Sequence, residues 1–215
     1  MIKLLKNFIK DFNIKNKSTL LSISGGIDSI VMAEIFNEAK LKFSIAHCNF
    51  GLRGVESKKD EIFVEKIAKK YKVRFYKKKF DTIKYSKQNN ISIQMSARNL
   101  RYDWLNHVSE KNSFSKIATA HHINDSIETF MINIIKGSGI SGFHGILYKN
   151  KKIIRPIMCL NKKMIIEYAK KKKLKWREDL SNKKNKYQRN IIRNKVITIL
   201  KNINPSFEKN IKNTI

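Results

Sequence analysis

The stretch LLSISGGIDSIV, residues 20–31, joins a short apolar run to a helical pattern through two adjacent glycines. Residues 18–23 have the pattern of a buried strand, and Ile27, Val31 and Ile35 then recur at helical spacing. A strand, a tight turn and a helix in this order are typical of α/β proteins, which bind ligands at the carboxyl ends of their strands. The stretch therefore predicts both the fold and the place of a site.

The rest of the chain repeats this order of strand and helix. Further strand patterns cover residues 42–48, 73–77, 116–121 and 153–157, and apolar helical stripes cover 64–71, 93–108, 127–134 and 164–173. Ser57 and Asp60 form a candidate capping box for the second helix. The pattern predicts an α/β, Rossmann-like fold: a doubly wound, mainly parallel five-stranded sheet with helices on both faces and a short helical C-terminal extension. We expect a catalytic domain over 1–196 and a short basic tail over 197–215.

The composition restricts the class of partner. The 215 residues are 41% hydrophobic, enough for a buried core, and 46 Lys and Arg against 17 Asp and Glu give a formal charge of +29. Such an excess attracts polyanions, which makes nucleic acid the first candidate, although a Lys-, Asn- and Ile-rich composition is also typical of AT-rich genomes. No segment is long and apolar enough to span a bilayer, so no membrane partner is expected.

The two cysteines, Cys48 and Cys159, form no C-x-x-C pattern. This argues against a disulfide framework, a zinc ribbon or a redox pair, and it fits a reducing compartment. A zinc site is also disfavoured, because the five histidines show no ligand spacing.

The loop SGGIDS, residues 24–29, predicts a nucleotide with its metal ion. Gly25 and Gly26 allow the backbone to approach a ligand, and the helix that follows offers unpaired N–H groups to a phosphate. Ser24 and Ser29 add hydroxyl donors, whereas Asp28 would repel a bare phosphate unless it holds a bridging Mg²⁺. The pattern is neither the G-x-x-x-x-G-K-[ST] loop nor a dinucleotide fingerprint. A glycine turn with a capping Asp or Ser is the structural alternative.

SGGIDS resembles the pyrophosphatase loop, or PP-loop, of enzymes that adenylate a substrate with ATP. Six further stretches stand in the order found in the tRNA(Ile)-lysidine synthase family. They are AHCNFGLRGVESKKDE (46–61), SARNLRYDWL (96–105), ATAHHINDSIETF (118–130), GSGISGFHGI (137–146), IIRPI (153–157) and EDLSNKKNKYQRNIIRN (178–194). The resemblance covers residues 20–196 and implies an adenine nucleotide alpha hydrolase-like fold.

The resemblance also implies a reaction. Free lysine is joined to C2 of cytidine 34 in a tRNA(Ile) with a CAU anticodon, by adenylation of the base and attack by lysine. The reaction uses ATP and Mg²⁺ and releases AMP and pyrophosphate. Ser24, Gly25, Gly26, Ile27, Asp28, Ser29 and His47 are then expected to bind the nucleotide, with Asp28 as the magnesium contact.

Further site residues are expected on two helices and in the last motif. Arg98 and Arg101 share a helix face and would clamp developing charge, although a solvated basic face has the same pattern. His122 would contact the adenylate or transfer a proton, and Asp125 and Glu128 would hold lysine amines or the metal. A helix cap, a surface ion pair and a packed histidine are the structural alternatives for these three. Lysine or tRNA contacts are expected from Arg101, Glu128, Asp179, Asn182, Arg189 and Arg193.

The resemblance is incomplete at two positions. Asn124 stands where the family often has an acidic residue, and Ser126 stands where it often has Gln, so the carboxylate roles are assigned to Asp125 and Glu128. Larger members of the family have C-terminal domains that grip the acceptor stem, and we expect the high positive charge to take over part of that role here. A thiolase of the same loop class and an inactive RNA-binding relic are the alternative functions. The expected location is the bacterial cytoplasm or an organelle, and the oligomeric state stays open, with a homodimer among the alternatives.

Overall fold

The computed structural model describes residue 12 and residues 14–139, 143–178 and 188–214. Its strands are β1 (Thr19–Ser22), β2 (Phe43–Asn49), β3 (Phe75–Lys79), β4 (Lys116–Thr119), β5 (Lys149–Asn150) and β6 (Ile153–Ile154). Its helices are α1 (Ile27–Glu38), α2 (Val55–Tyr71), α3 (Thr82–Asn89), α4 (Ile93–Lys111), α5 (Ile123–Ile135), α6 (Lys162–Lys171), α7 (Gln188–Ile191), α8 (Ile197–Ile203) and α9 (Phe207–Thr214). A π-helical turn, Ile192–Val196, joins α7 to α8.

The strands form one sheet in the order β3-β2-β1-β4-β6-β5. Every neighbouring pair is parallel except β5 and β6, which are antiparallel. The predicted mainly parallel α/β fold is therefore confirmed, but the sheet has six strands instead of five. The additional strand, Lys149–Asn150, is two exposed polar residues long and has no apolar pattern by which it could be recognised.

Successive strand residues pack on opposite faces of the sheet, as the period of two in a strand requires. Leu21 and Ile45 join the core beneath α1, α2 and α6, whereas Leu20 and Ala46 join a second core beneath α4. Helices therefore cover both faces of the sheet, which explains why the central strands are apolar throughout.

The sheet has a topological switch point between β1 and β4. From β1 the chain moves to β2 and β3 on one side, and it then returns to β4 on the other side of β1. Ser22 is in register with Thr119, so these two strands end side by side. The loops that follow β1 and β4 consequently flank one crevice, the place where α/β sheets of this kind bind ligands.

The start of α2 differs from the predicted capping box. The helix begins at Val55, after Gly54 with φ +51°, and Ser57 and Asp60 lie buried within it. That prediction was wrong: Ser57 lies in the first turns and accepts from the Arg53 N–H just before the helix, while Asp60 forms ion pairs with Arg53 and Arg177. Helix α3 was not predicted, since it is short and mostly polar; the side chain of Asp81 accepts a hydrogen bond from the Lys84 N–H at its start.

The C-terminal residues pack against the sheet domain. Phe207 and Ile211 of α9 contact the apolar cluster formed by Ile127, Ile192 and Ile197. The predicted helical extension is present, and residue 196 lies within a continuous helical stretch. The division into a catalytic domain and a tail stays a prediction. In the described ranges, no helix has both the length and the apolar character needed to cross a membrane.

Candidate functional site

The loop Ser24–Gly26 is held in shape by its own polar groups. Ser29 donates its hydroxyl to the Gly26 carbonyl at 2.8 Å and accepts from the Gly25 N–H at 3.2 Å. Gly25 has φ +98°, a conformation that L side chains rarely adopt, and a Cβ there would lie 3.5 Å from Phe63 and Val64. The first N–H groups of α1 have no partners within the helix, so the loop presents donors to an anion.

The loop forms one wall of a cleft of about 530 Å³. Ser24, Gly26 and Asp28 lie on the loop side, and Lys162 and Trp176 face them from the segment that contains α6. The cleft is therefore built from segments far apart in the chain, with polar groups at the loop and both charged and apolar side chains opposite.

Asp28 has two cationic or potentially cationic neighbours. Its Oδ1 lies 2.6 Å from Lys162 Nζ and 3.8 Å from His122 Nε2, and its side chain stays 30% exposed. Mg²⁺ in nucleotide sites usually takes one or two carboxylates together with phosphate oxygens and water. Asp28 at the phosphate loop fits that requirement. Among the described residues no group of three acidic, histidine or cysteine side chains could hold a metal without such help.

Arg177 connects the far wall of the cleft to the loop. Its N–H donates to the Gly25 carbonyl at 3.0 Å, and its guanidinium contacts Asp60 at 2.7 Å and Glu56 at 2.5 Å. Asp60 is buried and also pairs with Arg53. Arg53 and Asp60 lie in the stretch 46–61 but were not predicted as site residues, and nothing in the local pattern points to Arg177 or Lys162.

His47 lies beneath the loop and not in the cleft. Its ring Nδ1 is 2.8 Å from the Ile23 carbonyl, and the side chain is buried. Burial lowers the pKa of His47, against the opposing effect of that hydrogen bond, so the ring is neutral at pH 7. The arrangement indicates that His47 supports the end of β1. The neighbouring Cys48 packs with the second core, where burial raises the pKa of its thiol to about 12.

The start of α5 and the C-terminal helices bring five of the predicted site residues together. His122 is buried, and its backbone N–H donates to Asp125 at 2.9 Å, which makes Asp125 a cap as well as a candidate ligand. Glu128 is 1% exposed and forms a bidentate pair with Arg193, at 2.5 and 2.9 Å. Arg193 also lies 3.4 Å from Asp125, and Arg189 lies 3.3 Å from Glu128. These contacts define an acid–arginine cluster of Asp125, Glu128, Arg189 and Arg193.

A second cationic group stands at the ends of β2 and β4. The guanidinium of Arg98 lies 5.0 Å from the centre of the Tyr102 ring, and that of Arg101 lies 5.4 Å from the Phe50 ring. Arg155, which follows β6, is 5% exposed and donates to the Leu147 carbonyl. In the part of the chain that the structure covers, none of the three arginines has a carboxylate partner, unlike Arg53, Arg177, Arg189 and Arg193.

The pKa of His121 is lowered by burial and by the charges of these arginines. Burial lowers its pKa to about 4, and the charges of Arg155, Arg101 and Arg98 act in the same direction, against Asp125. Its Nδ1 lies 2.9 Å from the Thr119 hydroxyl. The two adjacent histidines therefore have different neighbours: His122 lies beside Asp28, whereas His121 contacts the Thr119 hydroxyl and has a pKa that the nearby arginines help to lower.

The predicted site is therefore largely assembled in one place. The loop, Asp28, His122, Asp125, Glu128 and Arg193 follow one another across the β1–β4 crevice, with Arg98 and Arg101 beside it. Asp179 and Asn182 lie outside the described residues.

Comparison with known proteins gives consistent matches. Residues 1–200 match the PP-loop domain family. A tRNA(Ile)-lysidine synthase from Bacteroides thetaiotaomicron is 39% identical over 195 residues, 91% of this chain and 46% of that protein. One from Petrotoga mobilis is 35% identical over 213 residues, 96% of this chain and 68% of that protein. The chain spans about half the length of most of the curated relatives it matches.

Solved structures share the fold at low sequence identity. A U34-tRNA thiolase from Methanococcus maripaludis with its 4Fe-4S cluster superposes with a TM-score of 0.78 at 19% identity, over 98% of this chain and 76% of that one. An NH3-dependent NAD synthetase from Campylobacter jejuni gives a TM-score of 0.56 at 18% identity, over 99% of this chain and 92% of that one. At these identities the similarity establishes the architecture alone.

Proposed function

The chain belongs to the PP-loop domain family that includes the tRNA(Ile)-lysidine synthases, and we propose that it attaches lysine to C2 of cytidine 34 in a tRNA(Ile) with a CAU anticodon. ATP would be the co-substrate, and AMP and pyrophosphate would be the products. The observation that carries this proposal is the acid–arginine cluster in the same crevice as the PP-loop, with His122 3.8 Å from Asp28 of the loop.

The first step would be adenylation of the base. The O2 of cytosine attacks the α-phosphorus of ATP, the bond to the β-phosphate oxygen breaks, and pyrophosphate leaves. The loop N–H groups would bind the departing pyrophosphate, and Lys162 would transfer its contact from Asp28 to a phosphate oxygen. Asp28 would hold Mg²⁺, which neutralises phosphate charge. These groups favour the transition state because each one stabilises charge that develops on the phosphates.

The second step would be attack by lysine. An amine of lysine forms a bond to C2, the bond from C2 to the adenylated oxygen breaks, and AMP leaves together with the proton of the amine. Free lysine carries positively charged ammonium groups and a negatively charged carboxylate, and the acid–arginine cluster has binding groups of both signs. Asp125 and Glu128 would bind the ammonium groups, and Arg189 and Arg193 would bind the carboxylate. His122, buried between Asp28 and Asp125, is placed to accept the proton.

The RNA would meet the second cationic group. Arg98 and Arg101 have no carboxylate partners in the described ranges, so their charge is available to an anion, and buried Arg155 adds to the positive field at the strand ends. The overall charge of +29 supports binding of an RNA backbone. A thiolase activity is less well supported, since the thiol of Cys48 stays protonated near neutral pH.

The proposal is tested by AMP release from purified protein with Mg-ATP, lysine and the tRNA, omitting lysine or tRNA in turn. A tRNA with C34 changed to U is the matched control substrate. AMP formation that requires C34, with the mass of lysine added to the tRNA, is the expected result. AMP release without lysine incorporation would contradict the proposed nucleophile, and absence of AMP would contradict the proposed enzymatic activity.

A further inference from the structure

We infer that Asn124 is a positioning residue that couples the C-terminal helix α9 to the nucleotide cleft. This inference rests on the proposed function, because it concerns how the cleft is shaped for Mg-ATP. Its basis is a chain of contacts from Glu208 on α9, through the Asn124 side chain, to the backbone of Lys162 and then to Asp28.

The contacts are direct and join distant parts of the sequence. Asn124 Nδ2 donates to Glu208 Oε1 at 2.9 Å, and Asn124 Oδ1 accepts from the backbone N–H of Lys162 at 3.0 Å. Lys162 is the first residue of α6, and its ammonium reaches Asp28 at 2.6 Å. Phe207 and Ile211 fix α9 on the surface of α5 by apolar contacts.

The two partners of Asn124 require an amide side chain at this position. One partner of the Asn124 side chain is an N–H, which needs an acceptor, and the other is a carboxylate, which needs a donor. An ionised aspartate in place of Asn124 would satisfy Lys162 but would place its second oxygen about 3 Å from the Glu208 carboxylate, where like charges repel. The amide satisfies both partners at once.

The bridge acts at the point where α6 begins. Lys162 can reach Asp28 only if the first turn of α6 stays beside the loop, and the backbone contact to Asn124 holds that turn to α5. A second contact, from the Ile123 N–H to the Leu160 carbonyl at 3.1 Å, holds the preceding residues in the same place. Displacing α9 or reversing its charge contact would therefore weaken the hold on the first turn of α6 and let the Lys162 ammonium shift from Asp28, the position from which it would contact a phosphate.

The test is a charge-exchange series on the full chain. N124D keeps the acceptor for Lys162 and makes the contact to Glu208 repulsive; adding E208Q places a donor opposite the new carboxylate. The double variant N124D/E208Q has the same net charge as the wild type. We expect N124D to raise the Kd for Mg-ATP about tenfold, equivalent to about 1.4 kcal/mol, and the double variant to return it to within about threefold of wild type.

Two matched variants control for nonspecific effects. K69A removes the exposed ion pair between Lys69 and Glu65 on α2 without touching the bridge, and N106D makes the same chemical change at an exposed position of α4. Both should leave the Kd for Mg-ATP unchanged. If the double variant binds as weakly as N124D, the added charge alone explains the loss and the coupling is overturned.

The outcomes separate this inference from the proposed function. Wild-type protein that binds Mg-ATP but adds no lysine overturns the reaction and leaves the coupling intact. Wild-type protein that binds no Mg-ATP overturns the nucleotide site together with the functional role of the bridge. In that case the contact is tested by a double-mutant cycle. The free energy of unfolding is measured for the wild type, N124D, E208Q and N124D/E208Q, and a coupling energy of zero between positions 124 and 208 contradicts the contact.

Discussion

At the scale of single residues, the site is controlled by which charges have partners. Asp28 is paired with Lys162 but stays partly exposed, so its carboxylate can exchange that lysine for a metal ion. Glu128 is fully buried and held by two arginines, which makes it part of the scaffold as well as a candidate ligand for lysine. Arg98, Arg101 and Arg155 lack carboxylate partners in the described ranges and lower the pKa of His121 together with burial.

Replacing Asp28 should abolish activity without unfolding the protein. We expect D28A and D28N to lower the rate of AMP formation roughly 10²–10³-fold, because phosphate charge would lose its stabilisation. The rate is measured at saturating Mg-ATP and the fold by circular dichroism. D103N, a change of an exposed carboxylate on α4, is the matched control. A D28N enzyme with wild-type turnover would show that the metal site has been misassigned.

His121 should make the protein sensitive to mild acid. Its pKa falls from the ordinary 6.5 to about 4 in the folded state, so between those values the unfolded chain binds more protons. Stability therefore decreases as the pH falls from about 6.5 to 4, by up to about 3 kcal/mol. H121Q should lose less stability over this window, measured by urea unfolding at several pH values. Parallel curves for both proteins would contradict the prediction.

At the scale of elements, the crevice depends on how the C-terminal helices pack on α5. The stretch from α7 to α8 carries Arg189 and Arg193, and its apolar residues pack on Ile127 of α5. The pair of Arg193 and Glu128 thus joins two elements that are far apart in sequence. Both the position of α5 and the charge of the crevice depend on this contact.

Removing one partner of the Arg193–Glu128 pair should be more harmful than removing both. R193A leaves a buried carboxylate with Arg189 as its remaining cation, and we expect a loss of about 3 kcal/mol of unfolding free energy. The double variant E128Q/R193M should recover more than half of that loss, since the buried Glu128 carboxylate is gone and the two charges that lose a partner, on Arg189 and Asp125, are partly exposed. K201A, which removes an exposed ion pair, should cost less than about 0.5 kcal/mol. A double variant no more stable than R193A would contradict a charge-based explanation.

At the scale of the whole molecule, the fold determines where the charges behind the net charge of +29 are paired and where they are exposed. The carboxylates near the cleft are paired with cations, as at Asp60 and Glu128. The edge strand β3 carries exposed Lys78 and Lys79, whereas Lys77 beside them pairs with Glu61 and Glu65. Part of the excess positive charge therefore lies at the edge of the sheet, where it adds to the long-range field that attracts a polyanion.

Binding of tRNA should weaken steeply with salt. If six or more phosphates are contacted, the affinity should fall roughly 10³-fold between about 50 and 200 mM salt. Binding releases counterions from the phosphates, and this release becomes less favourable as the salt concentration rises. Filter binding or fluorescence anisotropy over this range measures the slope. A tRNA with C34 changed to U should show the same slope, since phosphate contacts carry no sequence information. A nearly flat slope would contradict binding through net charge.

The sequence by itself determined the PP-loop and the alternation of strands and helices apart from α3 and β5, and it predicted the candidate site residues that lie on either side of the β1–β4 crevice. These features depend on local periodicity and on short motifs, such as SGGIDS and the spacing of His122, Asp125 and Glu128. The dependence on local patterns also explains two errors. Strand β5 was missed because it has no apolar pattern, and the buried polar residues Ser57 and Asp60 were wrongly interpreted as a helix cap.

Only the tertiary structure decided which of these groups are partners. Lys162 reaches Asp28 across 134 residues, Arg177 holds Gly25, and Asn124 bridges Lys162 and Glu208. No local pattern encodes such pairs, because they arise when the sheet places the ends of β1 and β4 side by side and the helices after them pack into one layer. The charge state of the site follows from that packing, since carboxylates and guanidinium groups across the crevice pair with one another and must exchange such a partner before they bind a ligand.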